Sequence, residues 1–216
     1  MESMKKVRAG ILLLLVITLF GGCGKQQILP QSDIILSGKY EVEKMPNMTI
    51  QFYKDGRAKV LQRGVYQLEK TKDRNLVRIC FDDISQELPE DYTYTEYEAT
   101  RERNAVLLQL YWNDTVQEDK NMLLVFDQGE DGLLEGEAFD GSYHIGSHRE
   151  GYQYQFQQDG QVMIHIELSY YTKDDWLTLV DASGETKYRY ELQEEEIIMK
   201  SERGEEIMTL QKIESE

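Results

Sequence analysis

Apolar residues recurring at every second position, in runs closed by Asp-Gly, limit this chain more than any other feature. Met48-Thr49-Ile50-Gln51-Phe52 alternates and is followed by Asp55-Gly56. Tyr152-Gln153-Tyr154-Gln155-Phe156 alternates and is followed by Asp159-Gly160, after which Val162-Met163-Ile164-His165-Ile166 alternates again. A strand points successive side chains to opposite faces, so this pattern gives one face to a core and the other to water. Asp-Gly placed directly after such a run favours the tight turn that joins hairpin strands. Only three prolines interrupt the 216 residues. The fold class expected is all-β, made of antiparallel meanders. The acidic stretch from Gln86 to Asp91 is the one place where a helical turn would fit.

The hairpin pattern occurs twice. Gly38-Lys39-Tyr40 precedes Ile50-Gln51-Phe52-Tyr53-Lys54-Asp55-Gly56, and Gly141-Ser142-Tyr143 precedes Tyr154-Gln155-Phe156-Gln157-Gln158-Asp159-Gly160. After each Asp-Gly come a strand, a tyrosine (Tyr66; Tyr170 or Tyr171) and a strand holding Leu76 or Leu177. Tyrosine-rich strands follow at Tyr92 to Tyr97 and at Tyr188 to Tyr190. A fixed order of elements repeated about a hundred residues on is the mark of an internal duplication. The second copy, closing on Leu210-Gln211-Lys212-Ile213, resembles the small lipocalin-like domains of bacterial lipoproteins of unknown function. That resemblance implies a meander curling into a barrel or half-barrel. Its matching positions are turns and core residues, so it implies a fold and no catalytic residue.

The N-terminus reads as an address. Lys5, Lys6 and Arg8 form a basic flank, Ile11 to Phe20 an apolar run, and Gly21-Gly22-Cys23 a small-small-Cys ending. The run suits a signal peptide and is too short for a stable bilayer-spanning helix. This ending resembles a bacterial lipobox, which implies cleavage before Cys23 and a diacylglyceryl and fatty acyl (palmitate) anchor on that cysteine. The expected organisation is therefore a signal helix over 1–22, a tether over 23–36 and a first lipocalin-like β domain over 37–127. An acidic linker over 128–137 and a second β domain over 138–216 complete it.

Cleavage removes Glu2 and three basic residues, which leaves 194 residues and takes the formal charge from −16 to −18. Such a surface repels nucleic acid and anionic headgroups, so anchoring falls to the lipid and no nucleic acid partner is expected. With Cys23 lipidated, Cys80 has no disulfide partner. It lies in the strand-like run Leu76 to Phe81 and is expected to be a buried, inert thiol.

Other candidate sites are weaker. Asp127 to Glu135 has acids and a glycine at calcium-loop spacing, but Gly129 and Ala138 stand where ligands are required. His144 and His148 are four apart beside Asp140 and Glu150, with glycine and serine between them, so no zinc site is expected. Tyr92, Tyr94, Tyr97 and Trp112, with Tyr170, Tyr171 and Trp176, are the makings of an aromatic platform, though tyrosine is also an ordinary strand residue. Asp82-Asp83 and Asp174-Asp175 are acid pairs at expected turns, and no nucleophile or metalloprotease motif is present. The function expected is a membrane-anchored, extracytoplasmic, non-catalytic binding or interaction module, with an unknown protein or small-molecule partner and no cofactor. The rivals are a carrier of a small apolar ligand and a cell-envelope hydrolase using carboxylates brought together by the fold.

Overall fold

The computed structural model describes residues 29–81, 94–112, 115–129, 141–145, 152–181 and 184–213. These hold fourteen strands and no helix. The first seven are β1 (Gly38–Val42), β2 (Met45–Phe52), β3 (Arg57–Lys70), β4 (Asn75–Cys80), β5 (Thr95–Glu102), β6 (Ala105–Trp112) and β7 (Thr115–Gly129). The second seven are β8 (Gly141–Ile145), β9 (Tyr152–Phe156), β10 (Gln161–Lys173), β11 (Trp176–Asp181), β12 (Gly184–Leu192), β13 (Glu196–Lys200) and β14 (Glu206–Ile213). The expected signal helix and the stretch from Gln86 to Asp91 lie outside the described residues.

Each strand pairs antiparallel with the next along the chain, and β1 pairs with β14 to close a ring. The duplication is visible element by element, seven strands then seven. β3 and β10 are the long third strands of the two copies, and they pair with each other across the ring, from Arg57↔Ser169 to Val65↔Gln161. That pairing divides the ring into two closed circuits of eight strands. The first is β1, β2, β3, β10, β11, β12, β13 and β14; the second runs from β3 to β10 in order. β3 and β10 belong to both.

The sharing follows from how the long strands change neighbours. The outer edge of β3 pairs with β2 along Ala58–Gln62 and with β4 along Val65–Lys70. β10 does the same with β9 along Val162–Ile166 and with β11 along Ser169–Lys173. Buried even-numbered residues on both build the cores: Ala58, Val60 and Tyr66 on β3, and Val162, Ile164, Leu168 and Tyr170 on β10.

Two separate cores result. One gathers Tyr40, Ile50, Phe52 and Val60 from the first copy with Tyr170, Leu177, Ile197 and Leu210 from the second. The other gathers Tyr66, Val77, Leu108 and Leu124 from the first copy with Tyr143, Phe156 and Val162 from the second. The two cores do not follow the two halves of the chain. Each copy's opening hairpin is built into the circuit that the other copy completes. Hydrogen bonds interleave the expected ranges 37–127 and 138–216 at β3–β10, β1–β14 and β7–β8, and β7 continues through Gln128 and Gly129, expected to be linker.

The Asp-Gly turns hold this exchange. Gly56 and Gly160 both adopt φ of 84°, a left-handed conformation that favours glycine,. Asp55 and Asp159 each accept the backbone N–H two residues on, at 3.2 and 3.0 Å. The Gly56 carbonyl accepts the Tyr170 N–H at 2.7 Å, and the Gly160 carbonyl accepts the Tyr66 N–H at 2.8 Å. The hydroxyls repeat the symmetry, Tyr170 donating to the Tyr53 carbonyl at 3.0 Å and Tyr66 to the Gln157 carbonyl at 2.7 Å. Each tyrosine ring also meets a phenylalanine edge-on from the other copy: Tyr170 with Phe52 and Tyr66 with Phe156, both at 5.1 Å. The choice between Tyr170 and Tyr171 as the repeat's tyrosine falls to Tyr170.

At the centre of the β3–β10 pair, Leu61 opposes His165. The two are also equivalent in the repeat, each five residues beyond its Gly. His165 Nδ1 is buried without a hydrogen-bond partner. Its pKa is lowered first by desolvation and then by Lys59, with Glu167 opposing. The fold therefore holds the neutral ring, and the unfolded chain takes up a proton first as pH falls.

Stability from this group is complete above the ordinary histidine pKa of 6.5 and is lost as pH drops below it,. His165→Leu, which copies the first repeat, is expected to flatten the acid side of the stability profile below that pH; unfolding by denaturant at stepped pH measures it. A fragment of residues 135–216 would lack the partners of β8, β10 and β14. It is expected to be disordered or to self-associate, because its unpaired strand edges offer templates. A monomeric fragment with dispersed amide proton signals and a cooperative melt would contradict this.

Candidate functional site

The most built-up polar contact in the described residues lies at one end of the first circuit, where β1 and β3 begin and β10 ends. Thr172, near the end of β10, is fully buried and holds the incoming N-terminal segment. Its Oγ1 donates to the Ile34 carbonyl at 2.6 Å and accepts the Ile34 N–H at 2.8 Å. The Thr172 carbonyl accepts the Asp33 N–H at 3.0 Å, and its N–H donates to Ser32 Oγ at 3.3 Å. Asp33 Oδ2 accepts the Asp174 N–H at 2.8 Å. Farther along, the Leu36 carbonyl accepts the Tyr170 hydroxyl, and the Leu36 side chain enters the first core. Residues 32–36, expected to be tether, are docked on the fold.

Around this docked segment stand Ile34, Ile35 and Leu192, 42%, 62% and 50% exposed. Leu192 ends β12 on the same rim, as shown by the pairing of Trp176 at the start of β11 with Arg189. The Arg189 guanidinium lies over the Trp176 ring at 5.2 Å and also pairs with Asp175 at 3.1 Å. The rim is completed by exposed Lys54, Lys173 and Lys212 beside Asp174, Glu194 and Glu195. Neither the Thr172 clasp nor this apolar rim was named from sequence. The Ile34-Ile35-Leu36 run, apolar after a polar stretch, was the available signal.

The interior of the same circuit is filled. Tyr40 packs edge-on to Phe52, which packs edge-on to Tyr170. A cavity of about 30 Å³ remains, lined by Met48, Ile166, Leu179, Tyr188, Met199 and Met208 among others. Ligand pockets run to roughly 300 Å³ and more. The space here accommodates a water-sized molecule, and its lining is almost wholly apolar,. Burial raises the pKa of Tyr188 and keeps its hydroxyl protonated.

The candidates from sequence are dispersed. Of the aromatic residues, Tyr170 is buried in the first core, and Tyr97 packs against the second. Tyr171 turns the other way, its hydroxyl 3.3 Å from Glu185. Trp176 lies beneath Arg189, Tyr92 and the Trp112 side chain lie outside what the structure describes, and the described members of the set form no platform. Burial pushes the Tyr97, Tyr152 and Tyr154 hydroxyls upward in pKa; Tyr152 is also raised by Asp181, whose carboxylate accepts its proton at 3.0 Å. That contact joins β9 to β11.

His144 is buried on β8 with its Nδ1 2.7 Å from Asp127 Oδ1 on β7. The first acid of the calcium-like run is thus engaged by a histidine; the rest of that run beyond Gly129, with His148, Asp140 and Glu150, lies outside the described residues. Among the described residues no group of three or more His, Cys, Asp or Glu side chains is placed to hold a metal. Asp174 and Asp175 form the β10–β11 turn, where Asp175 faces Arg189. Asp82 and Asp83 fall outside the described residues, as does Cys23. Cys80 is buried at the end of β4.

Compared with protein-family models, with curated proteins and with solved structures, the chain matches none.

Thr172→Val keeps the shape of the clasp and removes its hydroxyl, leaving the Ile34 N–H and carbonyl without that partner. The expected cost is about 1–2 kcal/mol. Hydrogen exchange should rise at the Ile34 amide and remain unchanged in the second core. Equal protection of Ile34 in both proteins would show that the Thr172 hydroxyl does not hold the segment.

Proposed function

We propose that the chain is a membrane-anchored extracytoplasmic lipoprotein, tied to the bilayer by acyl chains on Cys23. In this reading it acts without catalysis, as a binding or interaction module of two interlocked lipocalin-like barrels. The observation that carries the reading is the way the folded part begins. The first side-chain hydrogen bond among the described residues is made by Ser32, nine residues after Cys23. Between the two lies a stretch short enough to hold the fold against the surface that bears the lipid. The basic flank, apolar run and small-small-Cys ending support the same address.

A closed ring whose interiors are packed with tyrosine, phenylalanine, leucine and methionine favours recognition by the outer surface over transport of a cargo within,. For the carrier reading to gain ground, the first core would have to open by several side chains around Met48, Met199 and Met208. The partner is an extracytoplasmic protein or small molecule that tolerates a strongly acidic surface. Nucleic acid is disfavoured by the same charge.

The test is direct. A clickable palmitate analogue supplied to cells making the full chain is expected to label it and to vanish with Cys23→Ala. The variant should leave the membrane fraction yet melt as the parent does, because every described strand lies beyond the tether. Labelling of Cys23→Ala at the parental level would overturn the lipid assignment.

A further inference from the structure

We propose that the end of the first circuit bearing Ile34, Ile35 and Leu192 rests on the bilayer and inserts these side chains among uncharged or zwitterionic lipids. The inference builds on the lipid reading of Cys23 and adds an orientation and a contact surface to it.

The length of the chain fixes which end faces the lipid. Eight residues separate Cys23 from Ser32, and fully extended they span roughly 30 Å. Ser32, Asp33 and Ile34 are clasped by β10 at Thr172 and the following turn, so the chain reaches the fold at this end. The opposite end, with the β13–β14 turn around Gly204, is farther from the attachment point by the length of the strands.

The distribution of apolar side chains agrees. Four large ones stand exposed among the described residues, and three of them (Ile34, Ile35 and Leu192) are on the attachment rim; Ile207 is the fourth. Scattered exposed aliphatics are ordinary, but a group gathered at the one place a tether brings to a membrane has a ready partner. Trp176, half-buried on the same rim under Arg189, supplies an indole of the kind that sits at the headgroup level,.

Charge selects the lipid. The rim mixes Lys54, Lys173 and Lys212 with Asp33, Asp174, Asp175, Glu194 and Glu195, and the remaining surface is strongly acidic. Anionic headgroups are repelled, so insertion of apolar area rather than ion pairing makes the contact.

A test uses the mature chain carrying Trp112→Phe, so that Trp176 is its sole tryptophan. Cys23 is coupled to a maleimide lipid in phosphatidylcholine vesicles; Cys80, being buried, stays unreacted. Lipids brominated near the glycerol backbone then quench whatever indole lies at the interface. A long Gly-Ser insert after Gly24 removes the proximity that the short tether enforces.

Quenching of Trp176 is expected to survive the insert. It should fall severalfold in Ile34→Ser/Ile35→Ser/Leu192→Ser, whose exposed changes leave the melt unaltered, and on replacing half the lipid with phosphatidylglycerol. Loss of quenching with the insert, or parental quenching in the triple variant, would overturn the contact. Because the lipid is attached chemically, these results do not depend on processing in cells. Failure of the chain to float with membranes when made with its own leader would count against the lipid reading instead.

Discussion

Everything in this fold depends on two tyrosines reaching into the wrong half of the chain. Tyr66 and Tyr170 each hydrogen-bond by backbone and by hydroxyl to the Asp-Gly turn of the other copy, and each meets that copy's phenylalanine edge-on. These contacts decide where β3 and β10 leave one circuit and enter the other. Had each tyrosine met its own copy's turn, the repeat would have given two separate barrels on a string. The exchange instead makes both cores joint property, so loss of β3 or β10 removes a wall from both circuits,.

Much of this was legible from residues, and the part that was not has a physical reason. Alternation at Met48–Phe52 and Tyr152–Phe156 specified strands because the period of two is local. Asp55-Gly56 and Asp159-Gly160 specified turns because positive φ favours glycine. The repeat was visible because both copies keep the same order of turn and core residues. Which Gly-turn a tyrosine bonds to is set by pairing across about a hundred residues, and nothing near Tyr66 records it. The same limit hid the Thr172 clasp, since a threonine two residues after Tyr170 looks like any strand residue until Ser32 and Ile34 arrive. His144 was considered for a metal with His148; its actual neighbour, Asp127, comes from the adjacent strand.

The packed interiors and the acidic exterior divide the functional possibilities. Side chains as large as Tyr40, Phe52, Tyr143 and Phe156 occupy the volume in which a carrier would hold its cargo. In the proposed reading, recognition falls to rims and outer faces, where the two ends of the first circuit differ. One is clasped to the incoming chain and bears most of the exposed aliphatic side chains; the other presents turns of Ser, Glu, Arg and Gly around residues 201–205. In the lipoprotein reading, the second end faces away from the membrane and is free to meet a partner.

The closure of β1 against β14 has a consequence for how such a chain is made. A chain threaded through a membrane from its N-terminus delivers β1, β2 and β3 first, and those strands have nothing complete to join until β10 follows. Their circuit stays open until Leu210 and Ile213, far later in the chain, pair with Val42 and Lys39. Contacts this distant in sequence are slow to form, because loop closure must be offset before they contribute. In the lipoprotein reading, the apolar faces of β1 to β3 are exposed outside the cytoplasm through that interval. In that reading the protein's survival depends on a holdase, or on the rest of the chain arriving faster than neighbouring copies can associate.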